Sequence, residues 1–385
     1  MSAMAGGVRG IWSYTQDRWY LRALLGAALL SLILALVIVW FETYGTRTDQ
    51  RVALTFLINL VAVIGFQVFM SNSGVPTFGH VAFVAIGAYT AALVTTPTDR
   101  KSSETLIPDA PGFILNTEVG FGPALVIALA VVALIAALSG SAIVRLRGGS
   151  AAIATLALLI IVRTVLGNWE QLTRGPKTWS GIPGYTTVWL ALGVAVAAIF
   201  VARLFRESGG GLRLRATRTD ELASSAVGVD ISRSRFGAWV LSAMIAGAAG
   251  VLWAGYFLSL APQDFFFDLT FVYIVMVIIG GTSVSGAVIG AGLVTLLTEA
   301  IRRAETQGIH IGPIDADQVF GLTPIVLGLI VLLTMILRPE GLLGRWELEE
   351  WPARTLRGLR GRRWRRSTAR PVAGPANKPH GGGDT

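Results

Sequence analysis

Long apolar runs separated by short polar gaps recur along the chain from residue 22 to residue 337. A soluble amphipathic helix shows polar residues on one face at a period near 3.6, and a half-exposed strand alternates every second position. Neither pattern is sustained here. Several runs reach or approach the roughly 20 residues that a helix needs to cross about 30 Å of hydrocarbon. Transmembrane strands are excluded, because they would appear as segments of about ten residues with a polar lumen face. The runs lie at 22–41, 52–70, 79–96, 121–144, 151–168, 186–204, 236–257, 269–281, 284–301 and 318–337. They predict an all-α, polytopic integral membrane protein with about ten transmembrane helices, some broken or re-entrant. The pair 269–281 and 284–301 is short and contains Gly280, Gly281, Gly286, Gly290 and Gly292. It reads either as two spans or as one broken helix, which leaves nine or eight spans open.

The polar gaps set an orientation. The N-terminal segment up to the start of the first run carries Arg9, Arg18 and Arg22, and the link from 203 to 235 carries Arg203, Arg206, Arg213, Arg215, Arg218, Arg233 and Arg235. The tail carries Arg345, Arg354, Arg357, Arg360, Arg362, Arg363, Arg365, Arg366 and Arg370. Positive loops stay in the cytoplasm, so all three segments belong inside. The parity of the runs agrees and also puts Arg145 and Arg147 inside. Loop 97–120, with Asp99, Glu104, Asp109 and Glu118 against Arg100 and Lys101, falls outside. Three parts follow. Residues 1–21 form a cytoplasmic segment, and 22–340 a transmembrane domain with a cytoplasmic link near 206–235. Residues 341–385 are a basic tail, rich in Arg, Gly and Pro, expected to be mostly disordered. The tail's arginines suit either anionic lipid or simple topological anchoring.

Composition sharpens this picture at a few points. Only 14% of residues are charged, well below the roughly 25% of soluble domains. The net charge of +9 would admit a nucleic-acid binder, but the basic residues sit between apolar runs and in the tail, where membrane topology accounts for them. There is no cysteine, and His80, His310 and His380 are too scattered for a metal cluster. No cofactor or metal is expected in this chain. No Gly-x-x-x-x-Gly-Lys-Ser/Thr loop is present, so any ATP-driven process must draw on a separate subunit. Residues 22–41 read as a retained span rather than a signal peptide.

Certain interruptions are candidates for chemistry. Asn72-Ser-Gly-Val-Pro-Thr-Phe-Gly-His80 lies between two apolar stretches. Proline removes a donor and glycine loosens the helix, so this segment is either a break lining a solute path or a turn near a membrane face. His80 either bonds a neighbouring helix or meets a solute. Phe83, Gly87, Ala88, Ala91 and Ala92 have spacings suited to close helix packing. Arg163 lies near the apolar centre of its run, where a charge must snorkel, pair or face water. Loop 168–184, with Trp169 and Trp179, either admits a polar solute or anchors at the interface. Pro262 to Asp268 suits an outer interfacial turn, and Glu299 is a pore-lining or headgroup-exposed carboxylate. In the link, Asp220 can cap a short helix over Glu221–Gly228.

The ordered set of these segments resembles the LivM-type permease family, the membrane subunits of ATP-driven importers for branched-chain amino acids and related small solutes. The resemblance covers roughly residues 50–340. It is carried by Thr77-Phe-Gly-His-Val-Ala-Phe83 followed by Ile86-Gly-Ala-Tyr89, then Ala154-Thr-Leu-Ala157 and Leu172-Thr-x-Gly175 with Gly181-Ile-Pro183. It continues through Glu221 to Gly228, Ser242-Ala-x-x-Ala-Gly-x-x-Gly250, Gly280-Gly281 to Gly290-Ala291, and Arg338-Pro-x-Gly-Leu342. Pro76-Thr77-Phe78 departs from the family's small-residue run ending in Ser-Leu, close to the implied path.

The resemblance implies a non-enzymatic transport subunit in the bacterial cytoplasmic membrane, working by alternating access. The implied partners are a second, homologous permease subunit, two ATP-binding subunits docking on the 213–235 link, an extracytoplasmic solute-binding protein and membrane lipid, with no nucleic acid. Candidates for the substrate path are Ser73, Gly74, Thr77, Gly79, His80, Tyr89 and Arg163; candidates for coupling to the ATPase are Arg218, Glu221, Ala226, Gly228 and Arg233. Urea and short amides stand beside branched-chain amino acids as solutes. An ion-coupled secondary carrier is the competing expectation, although buried mid-span carboxylates are scarce. A membrane enzyme acting on lipid or polyprenyl substrates would call for a cluster of His, Asp or Glu, and none is evident.

Overall fold

Twelve helices carry the architecture of the computed structural model. In chain order they are α1 (Trp19–Tyr44), α2 (Arg47–Ser73), α3 (His80–Thr95), α4 (Phe121–Ile143), α5 (Gly148–Asn168), α6 (Val188–Glu207), α7 (Gly209–Thr219), α8 (Glu221–Ala226), α9 (Ile231–Phe257), α10 (Phe267–Gly280), α11 (Val284–Gln307) and α12 (Leu322–Leu337). The structure describes residues 19–102, 106–146, 148–307, 309–311, 314–316, 321–338 and 341–344, all within the unit Met1–Glu347. The expected disordered tail beyond residue 345 lies outside the described residues.

Among the described residues, eight helical stretches are long and apolar enough to cross a membrane, and the apolar stretches His80–Thr95 and Leu322–Thr334 are shorter. The protein is thus an all-α polytopic membrane protein. α1 begins at Trp19, inside the segment expected to be cytoplasmic, and α9 begins at Ile231, five residues before the predicted run at 236. The uncertain glycine-rich pair is two helices folded side by side. A Cβ on Gly280 would lie 2.3 Å from the Gly286 carbonyl oxygen, and one on Gly290 would lie 2.1 Å from that of Met276.

The core is a tight set of α2, α3 and α9. Helices in lipid gain little from the hydrophobic effect and associate by close packing, which small residues permit. A Cβ on Gly250 would sit 2.0 Å from the Val84 carbonyl oxygen, and one on Gly87 would sit 2.2 Å from that of Gly247. Only glycine allows these backbones to touch. α3 is buried around nearly its whole circumference, with Leu93 and Val94 alone partly exposed. By contrast α1, α4 and α5 turn Leu36, Leu134, Leu138 and Ile153 outward, each more than half exposed. In water such a contiguous apolar surface would be a liability; in lipid it is the solvated face.

Connections sort into two ends. At one end the Arg218 guanidinium donates to the Ser71 carbonyl, Arg206 donates to the Thr282 carbonyl, and the Thr282 amide donates to the Gly344 carbonyl. This end holds the α2–α3 and α10–α11 connections together with α7 and α8. At the other end a two-residue ribbon pairs β1 (Trp179–Ser180) with β2 (Ser259–Leu260), and Arg303 lies 3.6 Å from Asp49. A second ribbon joins β3 (Ile309–Ile311) to β4 (Ile314–Ala316). Trp179 is fully buried and its indole donates to the Thr96 hydroxyl at 3.2 Å, whereas Trp169 is about half exposed. Only Trp169 keeps the exposure of an interfacial anchor.

Lys101 is tucked into the loop after α3, its ammonium donating to the carbonyls of Ile114 and Thr117. Burial pulls its pKa below the usual lysine range, with Glu118 working in the opposite direction.

Candidate functional site

α2 ends where its hydrogen-bond ladder meets glycine and proline. Gly74 takes φ 73°, and its N–H caps the helix on the Met70 carbonyl, the left-handed stop that glycine adopts without steric cost. A Cβ there would come 2.7 Å from Arg218 Cγ, so the same position also seats the arginine. Residues 74–79 are non-helical, and α3 starts at His80.

The freed polar groups are taken up by a chain of short side chains. The Gly79 amide donates to the Thr77 hydroxyl at 3.3 Å, and that hydroxyl lies 3.0 Å from His80 Nδ1. His80 Nε2 lies 2.8 Å from the Ser242 hydroxyl, which donates to the Trp239 carbonyl at 2.8 Å. Because Ser242 spends its proton on Trp239, it accepts from His80 Nε2–H. Nδ1 then accepts from Thr77, which defines one neutral tautomer and a single direction along the chain. The ring packs among Phe66, Phe69, Phe83 and Trp239 at centroid distances of 5.0, 5.8, 5.9 and 4.9 Å. Thr155 of α5 closes the other side, accepting from the Phe78 amide at 3.1 Å. His80 therefore joins helices.

A second break, Gly281–Ser283, lies between α10 and α11 at the same end. The Thr282 carbonyl accepts from Gln67 Nε2 at 3.1 Å and from Arg206 Nη1 at 2.5 Å. Arg203 Nη2 donates to the Ser285 hydroxyl at 3.1 Å, and the Leu342 amide donates to the Ile279 carbonyl at 2.8 Å. Arg203 is 1% exposed and Arg206 is 7% exposed. Removing a guanidinium from water is costly unless its donors are engaged, and here they hold the turn. Both arginines had been counted as part of a polar link, but α6 runs on to Glu207 and carries them inward on its last turns. Among the described residues, Gln67 Oε1 and Asn72 Oδ1 are buried with no partner.

The link between α6 and α9 contains two helices. The predicted one is α8, capped by Asp220 accepting from the Ala223 amide at 2.9 Å and followed by Gly228 at φ 84°. The other, α7, starts on a triple glycine and was not anticipated. Glu221 pairs with the buried Arg235 at the base of α9. Leu222 and Val227 are each 80% exposed, an apolar pair with nothing over it among the described residues.

The structure brings five path candidates together: Ser73, Gly74, Thr77, Gly79 and His80. Ser73 donates to the Phe69 carbonyl at 2.7 Å, and Gly79 has no room for a Cβ, which would lie 2.6 Å from the Thr155 carbonyl oxygen. Tyr89 and Arg163 are elsewhere. Tyr89 is buried near Phe265 and borders an apolar cleft of about 340 Å³. Arg163 is exposed on α5, its guanidinium 4.0 Å from the Phe266 ring centroid, a cation–π contact. Among the coupling candidates, Arg218 and Glu221 make the contacts described, and Ala226, Gly228 and Arg233 are exposed. Thr155 and Ser242 fall in segments that carry the resemblance, but nothing there marks them as partners of residues 77–80, and Gln67, Arg203, Arg206 and Thr282 do not depart locally from ordinary helical or loop residues.

Fold and site together define a polytopic α-helical membrane protein built around two clamped helix breaks. The family model described as "Branched-chain amino acid transport system / permease component" matches residues 50–337, and the chain belongs to that family of transport permease subunits, which are not themselves enzymes. It is 27% identical to the high-affinity branched-chain amino acid transport system permease protein LivM of Escherichia coli K12, covering 87% of this chain and 80% of the relative. The LivM protein of Salmonella typhimurium LT2 is also 27% identical, over 81% and 73% of the two chains. Among solved structures, PsaBC from Streptococcus pneumoniae in complex with Fab aligns with a TM-score of 0.38 and 15% identity, over 80% of this chain and 96% of that one. That likeness is too low to carry an argument.

Proposed function

We propose that the chain is one membrane subunit of an ATP-driven importer of branched-chain amino acids or related small polar solutes such as urea or short amides. It resides in the bacterial cytoplasmic membrane with both termini inside. A second, homologous permease subunit lies beside it, two ATP-binding subunits dock on the 213–235 link, and an extracytoplasmic binding protein delivers the solute.

The observation that carries this reading is the family match over residues 50–337. The link adds physical support. α8 offers Leu222 and Val227 to a partner, while Arg218 ties the same link to the Ser71 carbonyl at the end of α2. A push on α8 is thereby delivered to the first break, and α6, leading into the link, holds the second through Arg206. Gln67 Oε1 and Asn72 Oδ1 each cost about 1–3 kcal/mol while unpaired, a cost expected where a second conformation or a passing solute satisfies them. Alternating access then consists of rearranging the two breaks as the ATP-binding subunits open and close.

The test is to isolate the tagged chain from its native membrane in mild detergent. The expected result is co-isolation of a second multi-span permease and P-loop subunits, ATPase activity in the assembly, and ATP-dependent uptake of labelled leucine after reconstitution, with urea and acetamide run alongside. A chain that isolates alone and whose uptake collapses with an uncoupler but not with ATP depletion would overturn the proposal in favour of an ion-coupled carrier.

A further inference from the structure

At the end opposite the two breaks, α2, α9, α10 and α11 enclose a cleft of about 490 Å³. This lies in the range of roughly 300–1,000 Å³ typical of small-molecule sites. One wall is apolar, formed by Val52, Phe257, Val272 and Met276. The rest of the lining includes the polar and charged residues Arg51, Asn59, Thr295, Thr298, Glu299 and Arg302. We infer that this cleft is a receiving site for a small solute bearing a carboxylate and an aliphatic group. The inference rests on the importer reading above and locates the solute before it reaches the breaks.

Charge bookkeeping at the cleft favours an anionic group. Glu299 already accepts from Arg302 at 2.9 Å through both of its oxygens, and from Arg303 Nε at 2.8 Å. Arg303 also lies 3.6 Å from Asp49. The local carboxylates are therefore engaged by these two arginines. Among the described residues, Arg51 has no carboxylate within ion-pair distance, and its guanidinium is the cation that a solute carboxylate would neutralise. A guanidinium meets a carboxylate with two parallel N–H donors, which fixes orientation as well as affinity.

The second observation is a hydroxyl. Thr298 lines the cleft, and its Oγ1 is buried with no partner among the described residues. One turn earlier on α11, Thr295 accepts from Asn59 Nδ2 at 3.2 Å, which fixes that amide beside the cleft. A buried hydroxyl left unpaired is costly, and rotation of the Thr298 side chain toward a polar solute seated beside Arg51 would satisfy it. The apolar wall then receives the aliphatic part. Arg51 is exposed and hydrated, so a neutral amide or urea gains no charge-assisted pair from it whereas a carboxylate does, and the cleft favours carboxylates.

The test uses the assembled complex in phosphatidylcholine nanodiscs, with calorimetric binding of L-leucine and of L-leucinamide, which lacks the carboxylate. Leucinamide is expected to bind about tenfold or more weakly than leucine, and Arg51→Gln to weaken leucine by a similar factor while barely changing leucinamide. Arg51→Lys should recover part of the loss. Thr298→Val is expected to cost about three- to tenfold, and Thr298→Ser to restore binding. Equal affinity for leucine and leucinamide, or an unchanged Arg51→Gln complex, would overturn the inference. So would a wild-type complex that imports leucine yet binds none. If phosphatidylglycerol displaces leucine from the wild type but not from Arg51→Gln, the cleft holds a lipid phosphate and the inference falls. ATP-dependent leucine uptake, measured in parallel, separates the two claims: intact uptake with an indifferent cleft leaves the importer reading standing, whereas absent uptake and binding in the wild type removes both.

Discussion

The two helix breaks lie at the same end of the molecule but are closed by opposite means. Residues 74–79 are sealed mainly by neutral side chains, with Thr77, His80, Ser242 and Thr155 bonding the break to α3, α5 and α9, while Arg218 reaches only its rim at Gly74 and the Ser71 carbonyl. Gly281–Ser283 is held by long, cationic side chains reaching in from α6, together with the Gln67 amide. Short neutral groups have few rotamers and make a fixed joint. Arginines on flexible stems can exchange partners without unfolding what they hold. On the importer reading proposed above, the first break serves as a hinge seat and the second as a latch that α6 shares with the 213–235 link.

That contrast can be broken or sharpened by substitution. The largest effect is expected from Gly250→Val, because its new Cβ would fall 2.0 Å from the Val84 carbonyl oxygen and separate α9 from α3. No monodisperse folded protein should elute on size exclusion, and a normal peak would show that the α3–α9 contact is not what seats the first break. His80→Ala removes two hydrogen bonds and a ring packed on four others. It should cost about 3–5 kcal/mol, read as a lowered detergent Tm. Arg206→Gln should cost less, about 1.5–3 kcal/mol, while reducing ATP-driven uptake disproportionately. If it unfolds the protein as readily as His80→Ala does, the latch is another structural joint and the contrast fails. The smallest effect on the fold belongs to Leu222→Ser with Val227→Ser, expected within about 0.5 kcal/mol of the parent at each exposed site. Their effect should appear in lost co-isolation of the ATP-binding subunits, and retained assembly would move the docking surface away from α8.

Several of these features were visible in the residues themselves. Gly74 and Pro76 marked the first break, Asp220 and Gly228 bounded α8, and the spacing of Gly87 and the alanines marked a packing face. Each of these signals is local: a missing donor, a positive φ or a small side chain acts on its own neighbourhood and can be read without knowing the partner. Arg163 shows the limit of such signals. Its position within an apolar run requires the charge to snorkel, pair or face water, but the face on which it falls is set by how α5 packs, and it emerges over Phe266. Trp179, read as either loop residue or interfacial anchor, is core because β2 and Thr96 close over it.

Membrane insertion, helical class and the positions of the breaks follow from composition and period, since burying a backbone in hydrocarbon leaves so few alternatives that about 20 apolar residues suffice to specify a helix. Which polar groups meet across those helices did not follow. Ser242 lies 162 positions from His80, Thr282 lies 215 from Gln67, and Thr295 lies 236 from Asn59. Their pairing depends on the rotation and depth at which α2, α9 and α11 pack, and that is settled by glycine contacts several ångströms away rather than by anything in the bonded residues. The cleft beside Arg51 is of this kind: four helices must come together before an ordinary arginine, threonine and glutamate share one wall.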